Sequence, residues 1–199
     1  MIPSRWYHFR MTDANQRKKQ PALVRRRLLD NGARLCVEQG VAGLTLQAVA
    51  DAADVTKGGL LHHFSTKQAL IEEIFNERLQ AFDTSIKQAM KLDPEPSGCF
   101  TRAYITATLE LIEKDDFIQW AALMMAMLTE PGLKKRWTQW LEQRLEHHQD
   151  TDSGPEMRLA RYAVDGLWLA GLLDEEERVA TKREALHLHS QLIEMTRKP

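Results

Sequence analysis

The side chains best spaced for chemistry lie in residues 45–64, Thr45-Leu-Gln-Ala-Val-Ala-Asp-Ala-Ala-Asp-Val-Thr-Lys-Gly-Gly-Leu-Leu-His-His-Phe64. Thr45 and Thr56 are both residue types that cap helix starts, because the side-chain oxygen accepts a backbone N–H left without a helical partner. The pattern predicts a short helix, a tight turn at Ala53-Asp54-Val55, and a second short helix. Leu46, Val49 and Ala50 give the first helix an inner face, and Val55 plugs the turn. Leu60 and Phe64, one helical turn apart, anchor the second helix. That leaves Lys57, Gly58, Gly59, Leu61, His62 and His63 turned largely outward, the layout of a helix-turn-helix whose second helix enters a DNA major groove. Two adjacent glycines cost a helix roughly 2 kcal/mol relative to alanine. Close approach of the helix backbone to DNA would offset that cost.

Other constellations offer less. His62-His63 and His147-His148 are adjacent pairs, and neighbouring helical residues point about 100° apart, a poor arrangement for chelation. Glu184-x-x-His187 has the spacing used by di-iron helix bundles, and a helical-bundle metalloenzyme is the alternative it raises. Such a site needs a second copy of the motif, and the chain has none, so no metal and no cofactor is expected. Nucleophile-elbow, phosphate-loop and dinucleotide signatures are missing. Cys36 and Cys99 sit in apolar helical context and read as core. Trp120, Met124, Met127, Trp137, Trp140 and Trp168 concentrate in the C-terminal half. They read either as core or as the lining of an apolar effector cavity, since methionine adapts to varied ligands. Asp165 interrupts this apolar set. Arg161, four residues earlier, is its expected helical ion-pair partner, and the competing reading is a carboxylate beside tryptophans that holds a cationic ligand.

The elements that must position these groups are all helical. The chain has 199 residues, 43% hydrophobic and 28% charged, enough for a sizeable core. No apolar run is long enough to span a membrane and no secretory signal opens the sequence, so the expected compartment is the cytoplasm. The net charge of −1 hides an asymmetry: residues 1–64 carry +5 and the remainder −6, which suits a polyanion at one end only. Residues 1–20 read as a flexible polar and basic arm, within which Met11 is an alternative start. A helix from Pro21, with Leu23, Leu28, Leu29, Ala33, Cys36 and Val37 in helical register, should stop at Gly40. The helix-turn-helix domain spans 21–65 and extends into a long linking helix to about 91. Asp93-Pro94-Glu95-Pro96-Ser97-Gly98 breaks that helix, and a body of further helices fills 97–199. In its last helix, Ala185, Leu188, Leu192 and Met195 form one row and Leu186, His189 and Ile193 another, one for the core and one for a partner. Ala163, Gly166 and Ala170 would let another helix approach closely.

Taken together, Thr45-Leu-Gln-Ala-Val-Ala, Ala53-Asp-Val-Thr-Lys-Gly-Gly-Leu60 and His63-Phe-Ser-Thr-Lys67-Gln-Ala-Leu70 resemble the DNA-binding domain of the TetR family of one-component repressors, over about residues 22–82. The resemblance implies an all-α homodimer with a three-helix DNA-binding domain and a larger helical domain for effector binding and dimerisation. It implies phosphate binding by Thr45 and Lys67, a groove or backbone contact by Gln47, and a base or phosphate contact by Lys57. Gly58 and Gly59 would permit close approach, and His62 and His63 would lie against the phosphates or the groove rim. Two positions depart from the family pattern: Leu61 stands where tyrosine is usual, and Asp54 where glycine is frequent. Leu61 would then touch a thymine methyl. The expected function is a repressor that binds a palindromic double-stranded DNA operator and is released by a small-molecule effector, with the long helix as mechanical link. An activator or dual regulator with the same heads is the alternative.

Overall fold

A computed structural model describes residues 11–113 and 117–197, and every regular element among them is a helix. In chain order these are α1 (Met11–Gly43), α2 (Leu46–Ala52), α3 (Lys57–His63), α4 (Lys67–Leu92), α5 (Cys99–Glu113), α6 (Phe117–Ala126), α7 (Pro131–His147), α8 (Gln149–Asp152), α9 (Pro155–Leu173) and α10 (Glu175–Met195). Among the described residues no helix is long and apolar enough to cross a membrane. Packing divides the chain into two units that meet in sequence within α4, between Ile74 and Phe75. The second half of α4 therefore belongs with the C-terminal body and not with the three-helix domain.

In the N-terminal unit α1, α2 and α3 pack on one another. Leu28, Leu29, Leu35 and Cys36 of α1, Val49 and Ala50 of α2, Leu60 of α3 and Leu70, Ile71 and Ile74 of α4 supply the core. Burial raises the Cys36 thiol to about 11, so it is inert core as expected. Gly40 has φ +70 and breaks the helix where the sequence placed a stop. Upstream the structure differs from the expected arm and start. Residues 1–10 of the arm lie outside the described residues, and 11–20 are helical. Pro21 stands inside α1 and not at its first turn. Its fixed φ is already helical, so the helix continues past it at the loss of one backbone hydrogen bond. Leu23, expected on the apolar face, is exposed.

In the C-terminal unit α5 packs against α9 and α10. A buried polar knot ties α5, α8 and α9 together. Asp152 accepts the Thr101 N–H at 2.7 Å, and the Arg161 guanidinium donates to the Thr101 hydroxyl and to the Asp152 carbonyl. A second knot joins α4 and α7: Arg144 donates from Nε and Nη2 to the two Asp83 oxygens at 2.7 and 2.8 Å. Trp140 Nε1 adds a third bond to Asp83 at 2.9 Å. Burial acts to raise the Asp83 pKa, but the bonds from Lys87, Trp140 and Arg144 outweigh it and hold the carboxyl below its ordinary range.

Candidate nucleic-acid interface and ligand cavity

The two short helices of the N-terminal unit are built by their caps. Thr45 Oγ1 accepts the Ala48 N–H and Thr56 Oγ1 the Gly59 N–H, both at 3.1 Å, as the sequence predicts. The Val55 N–H donates to the Ala50 carbonyl at 2.9 Å and closes the turn between them. Asp54 takes φ +53, the left-handed conformation that the family pattern favours glycine for and that aspartate tolerates. Leu60 is fully buried and Phe64 nearly so, while Leu61 between them is 41% exposed. The orientation of α3 about its axis is thereby fixed, and Lys57, Gly58, Leu61 and His62 share its exposed side. Lys57 has no hydrogen-bond or ion-pair partner among the described residues.

Four expected contact residues sit differently from a uniform outward face. A Cβ on Gly58 would meet nothing within 4 Å, whereas one on Gly59 would lie 3.0 Å from Val55 Cγ1 and 3.2 Å from Thr56 Oγ1. A methyl at Gly59 would therefore press on the chain's own turn, and only Gly58 leaves the outer surface open. Lys67 reaches back to the Ala42 carbonyl at 2.8 Å, satisfying an acceptor at the end of α1. Gln47 donates to Asp51 at 2.8 Å along α2. His63 is half-buried, with its ring 5.6 Å from that of the exposed His62.

The C-terminal unit holds a cavity of about 350 Å³. Trp120, Met124, Met127, Trp137, Asp165 and Trp168, six of the seven residues picked out by sequence, line it. Trp140 does not: its indole N–H is committed to Asp83, and its ring lies tilted against two cavity residues, 5.6 Å from Phe82 and 5.1 Å from Trp137. Seven lining residues escaped the sequence reading, among them Phe82, Tyr104 and Thr108. Phe82 was legible only as an inner-face residue of a long helix. Tyr104 and Thr108 lie one turn apart in a stretch whose alternating polarity hides its helical face.

Arg161 does not pair with Asp165 as helix spacing suggests, because its N–H groups are drawn to Thr101 and Asp152. The partner of Asp165 is the Tyr104 hydroxyl, which donates to Oδ1 at 2.7 Å across 61 residues of sequence. Asp165 borders the cavity and keeps accessible surface, yet burial of its carboxyl among the surrounding groups raises its pKa, an effect that the Tyr104 bond and the Arg161 charge reduce in part. Tyr104 is pushed well above ordinary tyrosine by its burial and by the neighbouring carboxylate. Among the described residues no three His, Cys, Asp or Glu side chains converge as metal ligands would.

Known proteins align with both units. A model described as bacterial regulatory proteins, tetR family, matches residues 28–74, and one described as tetracyclin repressor-like, C-terminal domain, matches residues 98–197. The chain is 30% identical over 94 residues to the HTH-type transcriptional repressor KstR2 of Mycolicibacterium smegmatis, a stretch that is 47% of this chain and 45% of that one. The chain thus spans less than half the length of that relative. It is 27% identical over 167 residues to the HTH-type transcriptional regulator BetI of Paraburkholderia phytofirmans, covering 76% of this chain and 83% of that protein. Among solved structures, the multidrug binding protein EbrR complexed with malachite green superposes with a TM-score of 0.70 at 22% identity, over 87% of this chain and 98% of that one, and so shares the fold. With one family model lying on the helix-turn-helix unit and the other covering half of the chain beyond it, the protein belongs to the TetR family of bacterial regulatory proteins.

Proposed function

We propose that the protein is a transcriptional repressor that binds a palindromic operator as a homodimer and leaves it when a small molecule fills the tryptophan and methionine cavity. The observation that carries the DNA reading is the exposed side of α3, where an unpaired Lys57, an open Gly58 and an exposed Leu61 stand together on a helix fixed by Leu60 and Phe64. In this reading α3 lies in the major groove. Lys57 donates to guanine O6 or N7, Leu61 touches a thymine methyl, and His62 and His63 face the groove rim. Thr45 keeps a hydroxyl proton for a phosphate after capping α2, and Gln47 exchanges Asp51 for the groove or backbone. Lys67 has two N–H groups left beyond its bond to Ala42, enough to hold a phosphate. Gly59 supports the turn beneath this surface. The names of relatives such as KstR2 support repression over activation.

Dimerisation would use α9 and α10. Leu159, Tyr162, Leu169 and Leu173 are exposed along α9, and a Cβ on Gly166 in the same stripe would meet nothing. The expected second row of α10 serves this less well than its spacing suggests. Leu186 is 86% exposed, but His189 turns inward to Thr106 at 2.8 Å and Ile193 is half-buried. The effector can release the operator only by binding the two dimer states with different affinity. α4 carries Lys67 in one unit and the cavity residue Phe82 in the other, which makes it the candidate transmitting element.

Selection of bound sites from a random duplex library with the full chain supplies the operator, on which two variants are then compared. Lys57→Ala should weaken operator binding by about 1–3 kcal/mol and leave random DNA little affected. Lys67→Ala should weaken both alike and reduce the salt slope by about one unit. Failure of the dimer to bind any duplex in dilute salt would overturn the proposal.

A further inference from the structure

We infer that the cavity of the C-terminal unit takes a flat, lipophilic monocation, with Asp165 as its counter-ion and the tryptophan rings as its walls. The inference deepens the repressor reading and rests on it in one respect, that this cavity is the effector site.

The chemistry of the cavity is one-sided. Phe82, Tyr104, Trp120, Trp137 and Trp168 present five aromatic rings to a space of about 350 Å³, and methionine and leucine supply most of the rest. Asp165 is the single formally charged group among the described lining residues. Aromatic faces attract cations through the ring quadrupole, and a carboxylate in such surroundings is costly unless a positive charge stands beside it. The Arg161 charge acts on Asp165 without an ion pair between them. Arg161, the cation one turn away, spends its hydrogen bonds on Thr101 and Asp152, and what reaches Asp165 is a neutral hydroxyl from Tyr104.

Two further lining residues hold polar atoms without partners. Thr108 Oγ1 and Trp168 Nε1 are buried and make no hydrogen bond, and Thr108 is only 4% exposed. Orphaned polar groups are rare in finished cores, and these belong to residues around one space. A site built for an anion would need a basic group, and the described lining has none. The basic groups nearest in arrangement, Arg158 and Arg161, border a second cavity that shares only Tyr104 and Asp165 with the first.

Three probes of one shape and different charge test the inference: 10-methylacridinium, the neutral 9-methylanthracene and anthracene-9-carboxylate. Each is titrated against the full chain near neutral pH by fluorescence. The cation should bind at least about tenfold more tightly than its neutral counterpart, and the anion least. Asp165→Asn should abolish the preference while the affinity for 9-methylanthracene stays as it was. Equal binding of cation and neutral probe, preference for the anion, or a preference that survives Asp165→Asn would overturn the inference. Circular dichroism verifies that the variant is folded, and the wild-type comparison of charged and neutral probes decides without it. Operator binding is read in the same titration. A cation that binds through Asp165 and leaves operator affinity unchanged would overturn the effector reading while the ligand class stands.

Discussion

Gly58 and Gly59 are neighbours in α3 and answer to different surroundings. A methyl on Gly58 enters open space, so Gly58→Ala should stabilise the fold by up to about 1 kcal/mol through helix propensity, while the added group stands where the groove floor would come in the proposed DNA complex. Thermal unfolding and operator titration of that variant should move in opposite directions, the first up and the second down. Gly59→Ala forces Val55 or the Thr56 cap to yield, so both should fall. A Gly58→Ala protein with unchanged operator affinity would remove close backbone approach from the recognition scheme. Asp165 sets a comparable tension in the C-terminal unit. Its folded pKa lies above the ordinary carboxylate value, so the folded state holds this proton more tightly than the unfolded chain. Stability is then lost as pH rises through the ordinary value toward the folded one, and it stays lost at neutral pH. Asp165→Asn, which can still accept from Tyr104, should raise the melting temperature of the ligand-free protein, and by more at pH 7.5 than at a pH below the ordinary carboxylate value. A variant that melts below the wild type at pH 7.5 would mean that the carboxylate is satisfied by something other than a ligand.

At the scale of elements, α2 and α3 are each seven residues long, too short to persist without caps and packing. Thr56 holds the start of α3 through the Gly59 N–H, so Thr56→Ala should cost about 1 kcal/mol. Hydrogen exchange should show the loss concentrated in α3, with operator binding falling more than global stability; protection spread evenly over the unit would deny the cap that role. These helices were legible in the sequence because their signals are local: a capping threonine, a turn that admits positive φ, and apolar residues one turn apart. The breaks at Gly40 and at Asp93–Gly98 were legible for the same reason. What was not legible depends on distant partners. Helix spacing paired Asp165 with Arg161, but residues 101 and 152 compete for that arginine and Tyr104 arrives from α5. Trp140 shares a face with Trp137, yet Asp83 of α4 claims its N–H. His189 fell in one of two rows that periodicity could not assign to core or partner, and Thr106 draws it inward. Nothing within a few residues of these positions records such partners.

For the whole molecule, a basic N-terminal third and an acidic remainder suit the proposed division of work, in which the first would approach a polyanion and the second would repel it. A single α3 reads only a half-site, so useful specificity depends on a second copy at about 34 Å, one DNA turn away, or a multiple of that spacing. The proposed dimer face is the α9 stripe of Leu159, Tyr162, Gly166, Leu169 and Leu173, whose alternating spacings of three and four are those of a helix seam. In a two-fold dimer the stripe meets its own copy, so each charge introduced there faces or neighbours its like. Leu159 and Leu173 suit the test because both are exposed and neither borders the aromatic cavity. Leu159→Glu combined with Leu173→Glu should give a monomer by sedimentation at concentrations where the parent is a dimer. The unfolding temperature of each unit should be little changed, since no buried side chain is altered. Binding to the full palindrome should fall to the level of an isolated half-site, while affinity for the half-site itself, which depends on Lys57 and the exposed side of α3, should remain. A double variant that sediments as a dimer would move the interface elsewhere, and one that is monomeric yet keeps full operator affinity would show that the two heads do not act together.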